Sequence, residues 1–318
     1  LRHWPARRRS LVLPTGFLNV HKPSGVSSHD VVDFVRHLTG DQRVGHCGTL
    51  DPRAEGVLPL ALGSATRLAD HLVGNQKSYQ AFVRLDCRTD TGDLDGTVVE
   101  TWPGPGPTRA DVETVLDRFK GEQNQVVPSY SAVRVQGRRL YDLARKGIAV
   151  ERPSRLVTVV ELAVLAYEWP VLEFFVRCSK GTYIRQLAED IGKTLGVGGT
   201  VDRLVRTAVG SLSLEAAHRP LTIAGAWLSD RLSTLLVPWT VAFSPETVLT
   251  LPDEGSVLTL SRGMALPLDS PIEPTPIDGP SAEDLRLVLA PNGAPVALCS
   301  VSRESGSVFL RPRKVLIR

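Results

Sequence analysis

Apolar residues first recur with a helical period between positions 31 and 38. Val31, Val32, Phe34, Val35 and Leu38 form one stripe, Ser27 or Ser28 stands where an N-cap belongs, and Gly40 supplies the stop. Ahead of it, GFLNVHKPSG reads as a short apolar strand closed by a Pro-Ser-Gly turn, and VGHCGTLDPRAEGVLP after it reads as a glycine-rich loop. Residues 79–85 (YQAFVRL) have the pattern of a strand, and the acidic stretch DCRTDTGDLDG that follows has the composition of a loop. Thr108 with Asp111 three positions on predicts a capping box and a helix ending near Lys120 and Gly121. Strands are predicted at 131–135, 156–166, 171–178 and 200–214. Helices are predicted at 138–146, closed by Gly147, and over YIRQLAEDIGKTLG.

Strands and helices alternate without the rhythm of parallel βαβ units, so the expected class is α+β with a mixed, mainly antiparallel sheet. Residues 1–13 form a basic lead-in, expected to be a flexible tail, and residues 14–245 form the body. Residues 267–280 (PLDSPIEPTPIDGP) read as a linker inside a small β-rich unit at 246–318, where Asn292-Gly293 marks a hairpin turn.

At 318 residues, with 42% hydrophobic and 22% charged side chains, the chain is long enough to bury a large core and too ordinary in composition for a disordered or fibrous protein. The four cysteines are widely spaced, with no CxxC pair, which disfavours zinc and a disulfide scaffold; together with the lack of a signal-like or membrane-length apolar run, this makes a reducing cytoplasm the expected location. A net charge of +3 names no partner, but it conceals two opposed regions. Residues 134–155 carry seven basic and two acidic side chains, and residues 86–117 carry eight acidic and two basic. The basic segment, with Tyr141 in its middle, suits either a solvated helix face or a strip that follows a phosphate backbone.

Phosphate-binding, dinucleotide, zinc-protease and serine-hydrolase motifs are all missing. The conspicuous segment is GHCGTLDP (45–52), where glycines surround one carboxylate and Pro52 restrains Asp51 to extended backbone. By itself an Asp-Pro pair among glycines is more often a turn than a nucleophile.

Three further segments change that balance: KSYQAFVRLDCRTDTGD, CSKGTYIRQLAEDIG and VVPSYSAVRVQGRRLYDLARKGIAVERPSR. With NVHKPSGVSSHDVV and the GTLDP block they resemble, in order and over residues 16–215, the tRNA pseudouridine synthase B family. The resemblance implies a pseudouridine synthase fold, and for 246–318 an RNA-binding domain of the PUA type. It implies isomerisation of uridine to pseudouridine at position 55, in the T loop of tRNA, without a cofactor or metal. The implied partner is the T arm of tRNA, with no membrane and no obligatory protein partner, and a monomer is expected.

By resemblance Asp51 is the essential carboxylate, able to attack C1′, add to C6 of the ring or take a proton. Arg185 is expected to pair with it and keep it ionised, and Tyr79 to meet the detached uracil. His46 fills the space left by the extruded base, Lys22 and Pro23 orient the Asp51 loop at the pocket edge, and Asp90 joins the polar network. Arg138, Arg139, Tyr141, Arg145 and Lys146 belong to an insertion at about 124–152 that closes over the RNA. An RNA-binding factor that refolds tRNA is the alternative, and Asp51, Tyr79 and Arg185 together argue against a purely non-catalytic version. Cys47 is read as a packing residue.

Overall fold

The computed structural model describes residues 13–148, 150–243, 245–268, 285–304 and 307–317. Residues 1–12 of the expected tail and most of the expected linker lie outside that set. Helix α1 (Ser28–Thr39) follows strand β1 (Gly16–Lys22) and is framed as its sequence predicts. Ser27 and Asp30 cap each other's backbone amides, and Gly40 ends the helix in the left-handed region.

Beyond α1 the glycine-rich stretch is less of a loop than expected. It contains strands β2 (Val44–His46) and β3 (Glu55–Leu62), and β3 is buried nearly throughout. A strand covered on both faces has no alternation to display. Helix α2 (Ala69–Gly74) leads to β4 (Lys77–Arg84), and the acidic loop carries a small hairpin of β5 (Cys87–Thr89) and β6 (Val98–Thr101). Helix α3 (Arg109–Arg118) has the Thr108/Asp111 capping box. Strand β7 (Gly121–Val126) has no counterpart among the expected elements.

The insertion departs from its sequence pattern. The strand expected at 131–135 shrinks to β8 (Arg134–Val135), which turns through Gly137 into β9 (Arg138–Arg139). The helix expected at 138–146 is therefore only α4 (Leu140–Arg145), because its first two residues are spent on the hairpin. Strands β10 (Ser154–Glu168) and β11 (Val171–Cys178), helix α5 (Ile184–Leu195) and strand β12 (Thr200–Val209) fall where expected. Gly210 separates β12 from β13 (Leu212–Ser213), so the stretch 200–214 is two strands.

Helix α6 (Pro220–Leu228) and strand β14 (Leu236–Val237) close the body. Among the described residues its sheet has ten strands, with the main path β14-β1-β3-β12-β4-β11-β10-β7; β13 pairs β12 and β2 pairs β3. Only the β12–β3 pairing in it is parallel. A second sheet, ordered β15-β17-β18-β19-β16, is built from β15 (Val248–Thr250), β16 (Leu266–Leu268), β17 (Leu285–Leu289), β18 (Pro295–Glu304) and β19 (Ser307–Val315). Helix α7 (Glu254–Ser261), which was not expected in a β-rich unit, packs with this sheet. Leu287, Leu298 and Leu316 of this second unit share an apolar cluster with Phe17, Leu68 and Leu72 of the body, so the two units pack on a common core.

Candidate active site

The loop at 48–54, between β2 and β3, presents Asp51 at the surface of the sheet, with its side chain 42% exposed. Backbone geometry alone does not hold it there, for Gly48 has φ of +113° and Pro52 supplies no amide hydrogen. Buried side chains do. Ser28 Oγ, on the first turn of α1, accepts from Leu50 N–H at 2.8 Å and donates to Leu50 C=O at 2.9 Å. Lys22 Nζ donates to the carbonyls of Pro23, Val26 and Pro52 at 2.9, 2.6 and 3.0 Å. Arg206, on β12, donates to those of Gly48 and Thr49 at 3.0 and 3.2 Å and to that of Val57 at 2.7 Å.

Arg185 enters from the first turn of α5, and its Nε lies 2.9 Å from Asp51 Oδ2. Its terminal nitrogens donate to the Thr91 carbonyl at 2.8 Å and the Tyr130 carbonyl at 3.0 Å. A guanidinium held by two fixed carbonyls is pre-aligned for the carboxylate. Gln125 supports this arrangement: its amide donates to Tyr183 C=O and accepts from Tyr183 N–H, two residues ahead of Arg185.

Asp90, expected in this network, lines a cavity together with Arg185 and Tyr130 but is not paired with Asp51 or Arg185. Asp90 is exposed and its carboxylate accepts from the Thr97 amide. Asp93 takes that place, 3.8 Å from Arg185 Nη1, because Gly92 at φ +75° turns the chain back toward the helix.

Tyr79 is buried on β4 directly opposite Arg206 of β12. Burial pushes its phenol up, and the positive charge of the neighbouring Arg206 guanidinium works against that shift. His46 ends β2, half-buried. Burial holds its imidazole below the usual histidine range, with the charges of His29 and Arg206 adding to the effect, so the ring is neutral at pH 7. Burial also lowers Lys22 to about 8, against the pull of Asp51. Cys47 is fully buried and its thiol is pushed up to about 12, which suits packing and not nucleophilic attack.

Pro23 is exposed at the rim, where its carbonyl is held by Lys22. Arg138, Arg139, Arg145 and Lys146 are exposed on the insertion, away from Asp51's own contacts. The guanidiniums of Arg139 and Arg145 flank the Tyr141 ring at 5.8 and 5.6 Å from its centre.

Sequence reasoning does not single out Arg206, Ser28, Gln125 or Asp93. Arg206 shares its strand, TVDRLVRTAV, with Asp202 and the exposed Arg203, and nothing local tells the buried cation from the exposed one. Ser28 reads only as a possible cap, and Gln125 carries no local signature.

The mixed sheet carries one carboxylate paired to an arginine, and solved structures share this fold. The chain superposes on a Cbf5-Nop10-Gar1 complex with TM-score 0.73 at 26% identity, covering 95% of this chain and 85% of that one. It superposes on an H/ACA RNP bound to a substrate RNA with TM-score 0.71 at 24% identity, covering 96% and 86%, which speaks to the fold alone. Residues 36–184 match the TruB family pseudouridylate synthase (N-terminal domain). The tRNA pseudouridine synthase B of Moorella thermoacetica is 41% identical over 307 residues, covering 95% of this chain and 99% of that protein. That of Synechocystis is 51% identical over 203 residues, covering 63% and 68%. The chain belongs to the tRNA pseudouridine synthase B family.

Proposed function

We propose that this protein isomerises a uridine in the T loop of tRNA, at position 55, to pseudouridine. The N1–C1′ bond breaks and the uracil turns over. A C5–C1′ bond then forms as the C5 proton is lost and N1 regains one. Atoms balance within the substrate, and nothing is consumed. Asp51 is the catalytic carboxylate, and the observation that carries the reading is its pairing with Arg185 at 2.9 Å on a loop whose backbone is tied down by buried side chains.

The half-exposed carboxylate is accessible to an incoming nucleoside. Covering it with RNA removes water and favours protonation, and the fixed guanidinium opposes that change. Tyr79 meets the uracil, and the neutral His46 ring is suited to occupy the stack that the uridine vacates without bringing in a charge. The exposed Arg138, Arg139, Arg145 and Lys146, with the Arg-flanked Tyr141, form a surface fit for phosphates and a stacked base. Residues 246–318 are assigned as a PUA-like RNA-binding unit.

The test is incubation of unmodified tRNA transcript with wild type and Asp51→Asn, followed by chemical mapping of pseudouridine. Wild type is expected to modify one T-loop uridine and Asp51→Asn none. Wild-type turnover by Asp51→Asn refutes the catalytic assignment, and modification at another site refutes the position.

A further inference from the structure

Each of the five carbonyls at positions 48–52 has a donor: Arg206 for Gly48 and Thr49, Ser28 for Leu50, the Ala54 amide for Asp51, and both Lys22 and the Gly25 amide for Pro52. Arg206 also holds the Val57 carbonyl, so both ends of the segment that carries Asp51 hang on one guanidinium. The same guanidinium stands beside the Tyr79 phenol, because Arg206 and Tyr79 are directly opposed in the antiparallel β12–β4 register.

Its backbone is fixed as tightly. Arg206 pairs in parallel with Gly56, and a Cβ on Gly56 would lie 2.2 Å from the Arg206 carbonyl oxygen. Arg206 is 1% exposed, and its hydrogen bonds go to three backbone carbonyls. Burying a guanidinium is costly, and a strand that only needed filling would be served at lower cost by an apolar side chain.

We propose that Arg206 is the positioning residue that sets the separation and orientation of Asp51 and Tyr79, by holding the loop of one with a rigid fork and standing against the phenol of the other across the β12–β4 register. The proposal rests on the reading of Asp51 and Tyr79 as the catalytic pair. Lysine at this position keeps the charge but presents a single ammonium, which cannot span the three carbonyls that the guanidinium reaches with three separate nitrogens. Charge alone therefore does not substitute.

The experiment measures thermal melting, tRNA affinity and single-turnover pseudouridine formation at saturating tRNA for wild type, Arg206→Lys, Tyr79→Phe and the double variant. Folded Arg206→Lys is expected to bind tRNA as wild type does and to form product about 100-fold more slowly, the scale of a small misplacement of reacting groups. Its penalty should be smaller in the Tyr79→Phe background, since the phenol it orients is already gone. A wild-type rate in folded Arg206→Lys overturns the proposal, as does a rate loss matched by an equal loss of affinity, or additive penalties in the double variant. If Arg206→Lys does not fold, Ser28→Ala loosens the same loop at Leu50 without touching Tyr79. It is expected to slow product formation at unchanged affinity, and a wild-type rate there overturns loop-pinning. A wild-type chain that forms no pseudouridine refutes the functional reading itself, and the proposal with it.

Discussion

Arg185 Nε lies 2.9 Å from Asp51 Oδ2, and the other two nitrogens of that guanidinium are held by carbonyls of Thr91 and Tyr130. The cation therefore cannot follow the carboxylate if the loop shifts, and the loop must come to it. Asp93 sits 3.8 Å from Arg185 Nη1 and adds a second negative charge beside the guanidinium. Asp90, three residues earlier, is engaged with Thr97.

The two carboxylates should thus separate by function. Asp93→Asn is expected to slow single-turnover product formation by roughly tenfold, in keeping with a charge acting at one remove on the ion pair. Asp90→Asn should leave that rate unchanged. Equal effects of the two substitutions, measured as tritium release from C5-labelled tRNA, would return Asp90 to the network.

Tyr79 can be divided into ring and hydroxyl. Tyr79→Phe keeps the buried ring on β4 and deletes the group beside Arg206, so melting should change little. The rate is expected to fall by roughly 10²–10⁴-fold, on the scale of a missing general acid–base group. Tyr79→Leu also removes the aromatic face and should lower stability as well as rate. A Phe variant with wild-type turnover limits the tyrosine to stacking.

How far the molecule is legible from its sequence can be seen by comparing α1 with β3. Helix α1 shows its N-cap, apolar stripe and terminal glycine in the sequence, because each is a local preference. Strand β3 shows nothing, because a strand enclosed on both faces loses its alternation, and its Gly56 and Pro59 read as loop residues. At the site, Asp51, Tyr79 and Arg185 are reached through motif resemblance, and the structure brings Asp51 and Arg185 into contact. Asp93 cannot be told from Asp90 by composition, since the choice is made by one positive φ at Gly92. Arg206 depends on strand register, which no local pattern encodes.

The basic insertion yields a prediction on affinity. Arg138, Arg139, Arg145 and Lys146 are exposed, and replacing all four by glutamine removes cations without opening a core. Every phosphate left without its cation should lower the slope of log affinity against log salt by about 0.7–0.9, so the four substitutions together flatten it by up to about 3.6. Single-turnover chemistry on bound tRNA should be spared. An unchanged salt slope assigns the segment to an ordinary solvated face.

Lys22 supplies a pH dependence whose sign differs between activity and stability. Its Nζ serves three carbonyls, including that of Pro52 beside Asp51, and only the ammonium has three hydrogens to give. Burial lowers it to about 8, so above that pH one carbonyl loses its donor and the Asp51 loop loosens. Turnover at saturating tRNA is therefore expected to decline with an apparent pKa near 8. Stability moves the other way: an exposed lysine titrates at 10.5, so between 8 and 10.5 the folded chain has released a proton that the unfolded chain retains. This contribution is fully present above 10.5 and is lost as pH falls through 8. Lys77, also lowered to about 8 by burial, acts on stability in the same direction but touches the carbonyls of Val73 and Asn75, remote in sequence from the loop. Lys77→Met should therefore retain the alkaline limb of the rate profile while flattening the rise in melting temperature. Loss of the alkaline limb in Lys77→Met, or a flat wild-type profile from pH 7 to 9, rules out Lys22 as its source.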